Sequence, residues 1–285
     1  MTSARMRTLI AIVVALAGLV AGSIVGAPRA VAAGNAVPNY EVKLNLTSAA
    51  LDASNGPTSA VRSALGLGSS STGSAYEYFD TGSLALNGEG WSVRLRHEQG
   101  EDLDLNYKRR FAVTGGNIDG ALTTANRAGF DKSDDNYDAQ VDWTYDKQTL
   151  SFANKKDSSS TGLSGTSLPS ESDAVDLVVD KSPGKLEDTR SKGWGKDTLK
   201  GSRAHGPVTS RNWKGTWRGT KVDLEVLPVR AASGSGTETI VEFSFKADTL
   251  AEATALRAAA ITELDAKGWL LKRGVLKTSL ILDRY

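Results

Sequence analysis

Polar and apolar residues alternate along several short segments of this chain, and that period of two limits what it can fold into more than any other feature. From Asn39 to Leu46, Tyr40, Val42, Leu44 and Leu46 share one face, and Asn39, Glu41, Lys43 and Asn45 share the other. In Trp91 to Glu98, Arg94 and Arg96 lie with Ser92 and Glu98, opposite an apolar side that includes His97. In Asp102 to Phe111, Asp104, Asn106, Lys108 and Arg110 share a side. Lys221, Asp223 and Glu225 oppose Val222, Leu224 and Val226, and Glu242, Ser244 and Lys246 oppose Val241, Phe243 and Phe245. Two arrangements satisfy this pattern. The charged faces are the solvated outside of antiparallel sheets, or they line the inside of a sheet that closes on itself. Alternation is the same in both, so spacing alone does not choose.

Around these segments the spacing predicts further strands over 76–86, with a turn at Thr81-Gly82, and over 141–145, 208–217 and 275–282. Helices are expected over 57–65, 119–128 and 250–267. The last has Thr249 and Glu252 as a capping box and Gly268 as its stop. Residues 158–172 are rich in Ser, Thr and Gly. They predict a flexible surface insertion spanning about 154–173. Residues 174–179 are apolar but of unresolved type, and 182–206 are polar and rich in Gly and Lys. The expected class is α+β, dominated by strands.

The N-terminus carries Arg5 and Arg7, then an uncharged stretch from Thr8 to Gly26, then Ala30-Val31-Ala32-Ala33. This order predicts a signal peptide over 1–33, cleaved after Ala32 or Ala33, with 34–285 as a single secreted domain. An uncleaved anchor is the alternative; after cleavage no stable membrane anchor remains. The chain has no Cys, which excludes disulfides and thiolate metal sites. A net charge of +1 gives no case for a nucleic-acid partner. His97 and His205 are the only histidines and have no neighbouring His, so neither reads as a metal ligand or a nucleophile's partner; His97 lies on the apolar side of its strand and reads as packed.

The order of motifs resembles the CYTH-like, or triphosphate tunnel metalloenzyme, family. Asn39-Tyr40-Glu41-Val42-Lys43 stands where that family has Glu-x-Glu-x-Lys. Tyr78-Phe79-Asp80-Thr81, Leu84-Ala85-Leu86 and Gly90-Trp91-Ser92-Val93-Arg94-Leu95-Arg96 follow in matching order, and Leu105-Asn106-Tyr107-Lys108 resembles the family's Leu-Thr-x-Lys. Val222-Asp223-Leu224-Glu225 and Ile240-Val241-Glu242-Phe243-Ser244-Phe245 resemble its late acidic strand pair. Nothing between about 146 and 206 aligns.

The resemblance implies an antiparallel tunnel of about eight strands with helices outside. It implies that Lys43, Arg94, Arg96 and Lys108, with Arg211 as a looser match, hold phosphate oxygens, and that the first four carry catalysis. Glu41, Asp223 and Glu242 would ligate Mg²⁺ or Mn²⁺ through hard oxygens. The implied partner is a phosphorylated small molecule or polyphosphate, and the implied reaction is metal-assisted hydrolysis. Two positions depart from the pattern: Asn39 and Ser244 stand where carboxylates are expected. An amide and a hydroxyl hold Mg²⁺ more weakly. A non-catalytic anion-binding or structural module on the same scaffold is therefore the second reading.

Overall fold

Nine strands close into one ring in the computed structural model, which describes residues 33–285. They are β1 (Asn39–Leu46), β2 (Thr72–Asp80), β3 (Trp91–Glu98), β4 (Leu103–Ala112), β5 (Asp138–Trp143), β6 (Gln148–Ser158), β7 (Arg203–Trp217), β8 (Thr220–Arg230) and β9 (Thr237–Ala247). Around the barrel they run β1-β5-β6-β4-β3-β2-β7-β8-β9 and return to β1. The expected signal peptide falls on 1–32 and Ala33, and so lies almost wholly outside the described residues.

The ring has nine strands where about eight were expected, and one pairing departs from antiparallel. A ring with an odd number of strands cannot alternate direction all the way round, so one neighbouring pair must run parallel. That pair is β1 and β5, joined from Asn39–Gln140 to Val42–Trp143. The strand absent from the expectation is β6, which pairs with β4 from Leu103–Ser158 to Ala112–Thr149.

Among the described residues eight α-helices accompany the ring: α1 (Ser59–Leu65), α2 (Ala85–Gly88), α3 (Ile118–Arg127), α4 (Glu171–Asp180), α5 (Gly184–Glu187), α6 (Trp194–Lys200), α7 (Leu250–Ala266) and α8 (Lys277–Arg284). The apolar faces of the strands point outward and are covered by helices. Val42, Leu44, Trp91, Leu95, Leu105, Tyr107, Phe152, Leu224 and Phe243 are buried there with Ala174 and Val178 of α4 and Ala253, Ala260 and Leu264 of α7. Burying each large side chain contributes roughly 1.5–3 kcal/mol. The polar faces point into the lumen, which settles the two arrangements left open by the alternation.

Three local expectations change. The extended run from 76 breaks at Asp80, whose carboxylate accepts hydrogen bonds from the backbone N–H groups of Thr81, Leu86 and Asn87 at 2.8–2.9 Å. Those bonds turn 85–88 into α2. The expected insertion over 154–173 is strand as far as Ser158 and helix from Glu171, where the Ser170 side chain accepts from Asp173 N–H. Only 159–170 is loop, and it is tied down by His97 Nδ1 against Ser167 O at 2.7 Å and by Leu163 and Leu168 on the core. The stretch 275–282 is not a closing strand; α8 occupies it. At helical spacing Lys277, Ile281 and Tyr285 share a face flanked by Thr278 and Leu282, and that face turns to the inside of the barrel.

Candidate functional site

The lumen is built by the same alternation that builds the core. Each strand gives every second residue to the inside: Glu41 and Lys43 from β1, Ser92, Arg94 and Arg96 from β3, Asp104, Lys108 and Arg110 from β4, Gln140 and Asp142 from β5, Asp223 and Glu225 from β8, Glu242 and Ser244 from β9. Contacts between strands that are not neighbours in the sheet establish this inward direction. Lys43 of β1 and Lys108 of β4 meet on Asp142 of β5, and Lys214 of β7 reaches over β2 to Glu98 of β3 at 3.0 Å. Side chains of Lys43 and Arg94 keep 22% and 24% of their exposure inside the closed ring, so solvent reaches them.

Three charge groups divide the lumen. At the β1–β5 joint, Lys43 Nζ lies 2.8 Å from Glu41 Oε2 and 2.7 Å from Asp142 Oδ1. Lys108 Nζ makes a longer 3.5 Å contact to the other Asp142 oxygen. Gln140 donates to both Glu41 and Asp142, and Ser151 Oγ donates to Asp142 at 3.2 Å. Burial alone would lower the Lys43 pKa, but Asp142, Glu41 and Glu242 outweigh it and raise it. Burial likewise opposes ionisation of Asp142, and the two lysines hold its carboxyl far below the usual range. Lys108 has the weaker share of that carboxylate. Burial, with Lys43 and Arg110 nearby, brings it down to about 8.

The second group is the β3–β4 wall. Arg94 donates to Asp104 Oδ2 at 2.8 Å, and Arg96 forms an ion pair with the same oxygen at 2.9 Å. Arg110 turns to hydroxyls, Ser92 Oγ at 2.6 Å and Thr278 Oγ1 at 3.2 Å. Two guanidiniums thus share one carboxylate, and the third has hydroxyl partners alone among the described residues. The Nε atoms of Arg94 and Arg96 and Oδ1 of Asn106 on the same wall are buried without a hydrogen-bond partner. Such unpaired polar atoms are costly unless something meets them.

The third group is the β8–β9 wall, where Glu225 and Glu242 stand directly opposite each other in the ladder. Lys277 of α8 enters between them, bonding to Glu225 and lying 2.8 Å from Glu242 Oε1. Burial opposes both charges, yet Lys277 is raised and Glu225 lowered because each holds the other. Behind Lys277, Ile281 and Leu282 rest on Tyr76, Tyr78, Val208, Leu227 and Val229, an apolar patch that closes this end of the lumen.

Of the site residues expected from the motifs, Lys43, Arg94, Arg96, Lys108, Glu41, Asp223 and Glu242 all face the lumen. Arg211 does not. It lies on the outer face, donating to the backbone carbonyls of Ser54 and Asn55 and stacking on Trp213. The expected metal ligands are inside but apart. Glu41 belongs to the Lys43–Asp142 group, Glu242 to Lys277, and Asp223 accepts from Asn212 Nδ2 at 2.7 Å. Among the described residues no three His, Cys, Asp or Glu side chains gather as a metal site. The donor set therefore does not fit Mg²⁺ or Mn²⁺ as expected. Asp142, Glu225, Arg110 and Lys277 complete the lumen; strand alternation was enough to place Glu225 and Arg110, whereas Asp142 and Lys277 had no such signal.

The architecture that the motifs implied, a closed tunnel with charged walls, is the one this chain adopts. No family model and no curated protein sequence matches the chain. Among solved structures it is similar to a candidate adenylyl cyclase from Hippeastrum whose dominant activity is that of a triphosphatase, at 14% identity, TM-score 0.44, covering 86% of this chain and 99% of that one. It is also similar to a candidate adenylate cyclase from Bacillus halodurans, at 10% identity and TM-score 0.49, covering 87% and 98%. A third, from Vibrio parahaemolyticus, has 10% identity and TM-score 0.41, covering 86% and 98%.

Proposed function

We propose that this chain is an exported protein that binds a phosphorylated small molecule or polyphosphate in its lumen without turning it over. The observation that carries the reading is the β3–β4 wall, where Arg94 and Arg96 share one carboxylate, Asp104, and Arg110 is met only by the hydroxyls of Ser92 and Thr278. Guanidinium forks match phosphate oxygens in pairs, and Lys108 and Lys43 add point charges beside them. A polyphosphate entering this wall would meet the buried Nε donors that lack partners. The acids that hydrolysis would need are each held by a base or amide of the chain, which favours binding over catalysis.

Titration calorimetry with tripolyphosphate tests it. Binding is expected in EDTA as well as in Mg²⁺, and Arg94→Ala with Arg110→Ala should weaken it by about a hundredfold, two charge-assisted contacts at roughly 1.5 kcal/mol each. Absence of any heat from the wild-type chain would end the proposal. One observation favours a second reading. Glu225 and Glu242 lie side by side, and two adjacent carboxylates are a start on a site for Mg²⁺ or Mn²⁺. On that reading the protein hydrolyses its ligand, and phosphate release with either ion above a Lys43→Ala control would replace binding with catalysis.

A further inference from the structure

We infer that the ammonium of Lys277 is a built-in counter-cation standing where a divalent ion would sit between Glu225 and Glu242, so that α8 makes the acid wall of the lumen closed to metal. This goes beyond the phosphate reading and holds whether or not an anion binds opposite.

The argument starts from the ladder. Glu225 and Glu242 are directly paired across β8 and β9, and Glu242 is 4% exposed. Like charges in that relation repel, and in a partly dry lumen the repulsion is stronger than at a surface. Something must neutralise them: a proton, a bound cation or a cation of the chain. Here the chain supplies it. Lys277 Nζ bonds to both carboxylates, while Tyr76 Oη donates to Glu225 at 3.4 Å from the other side.

Lys277 is placed there by several independent anchors. Leu271 N–H donates to Asn45 O at 2.8 Å, and Val275 N–H to Asn45 Oδ1 at 2.9 Å, tying the lead-in segment to β1. Thr278 bridges Tyr78 Oη and Arg110, and Ile281 and Leu282 are buried on the apolar floor. The helix cannot swing without breaking all of these, so the ammonium is held rather than merely nearby. Ser244, directly opposite Asp223 and Lys43 in the β9 ladders, adds no charge that a metal could use.

The test is a Mn²⁺ titration of the wild-type mature chain, Lys277→Met and Lys277→Met/Glu242→Gln, followed by calorimetry and by thermal melts. Methionine keeps the apolar stem and removes only the charge. Wild type should show no saturable binding at millimolar Mn²⁺ and no shift in Tm. Lys277→Met should bind one Mn²⁺ at least about tenfold more tightly than wild type and gain Tm with it, and the added Glu242→Gln should abolish both. Lys277→Arg, which keeps a cation, should behave as wild type. Saturable Mn²⁺ binding by the wild-type chain that Glu242→Gln removes would overturn the inference, as would a folded Lys277→Met that binds none. Should Lys277→Met fail to fold, the wild-type and Glu242→Gln melts with Mn²⁺ still decide, since a Mn²⁺ shift dependent on Glu242 contradicts it and its absence agrees. Tripolyphosphate binding is read separately, so failure of either proposal leaves the other standing.

Discussion

Lys108 shows how one side chain can set the working range of the lumen. It is half-buried, it has only the long contact to Asp142, and its pKa is pushed down to about 8. An anion on the β3–β4 wall favours the charged form and raises that value in the complex. Affinity for tripolyphosphate should therefore be flat below about pH 8, fall as pH rises through the free-state value, and level off above the value in the complex. Lys108→Met should bind more weakly and lose this step; a step that survives in the variant assigns it to another group. Glu77 is a residue of the opposite kind, on the outer side of the barrel. It is 5% exposed, its Oε1 has no partner, and burial, with Glu171 nearby, pushes its pKa from 4.5 up to about 7. The folded state holds this proton more tightly than the unfolded chain. The contribution is thus fully present below about pH 4.5 and lost as pH rises through about 7. Glu77→Gln stays neutral throughout, so it should stabilise the fold by up to about 3 kcal/mol near pH 8 and by nothing near pH 4. Urea melts at the two pH values check this, and an equal gain at both would refute it.

Elements whose partners are regular were legible in the sequence, and those whose shape is imposed by something distant were not. Strands β1, β3, β8 and β9 and helices α1, α3 and α7 follow directly from period and caps, because each has one apolar side and one polar side. The lumen bases of β1, β3 and β4 and the acids of β8 and β9 came from the same alternation. Strand β6 escaped notice because its lumen and core faces both carry small or apolar residues, Ser151, Phe152 and Ala153, which blurs the period. Helix α8 reads as a strand because Leu276, Leu280 and Leu282 fall on one side of a period of two, with Lys277 and Ser279 on the other; only the floor it lands on makes it helical. Asp142 looked like any strand residue until β5 was set between β1 and β6. The end of α1 carries a prediction of its own. Gly66 caps it at φ 62°, and a Cβ there would sit 2.1 Å from the Thr216 carbonyl of β7. Gly66→Ala should cost about 2–3 kcal/mol, through both backbone strain and the forced separation of α1 from the barrel. Gly100, at φ 87° with nothing within 4 Å, is the control: its Ala variant should cost only the backbone part, about 1 kcal/mol. Equal losses in urea melts would mean that the close approach to β7 contributes nothing.

At the scale of the whole barrel, odd closure creates one unlike joint. The β1–β5 pair is parallel and spans four residue pairs, where the β4–β6 ladder spans ten. Parallel pairing is slightly the weaker per residue, so backbone hydrogen bonds alone make this the place where the ring opens first. Side chains counter that weakness from inside. Lys43 reaches from β1 to Asp142 on β5, and Gln140 on β5 reaches back to Glu41 on β1. The charge group at the joint thus serves as its staple as well as part of the lumen. Asp142→Asn removes the carboxylate that both Lys43 and Lys108 use and leaves two half-buried ammoniums to repel each other. Hydrogen exchange followed by mass spectrometry should then show faster exchange over 39–43 and 140–143, with little change in the β2–β7 ladder on the opposite side of the ring. Uniform acceleration around the ring would mean that the barrel opens as one cooperative unit, and the seam would lose its special status. Localised acceleration would mean that the same ion pairs which set the charge of the lumen also decide where the tunnel parts.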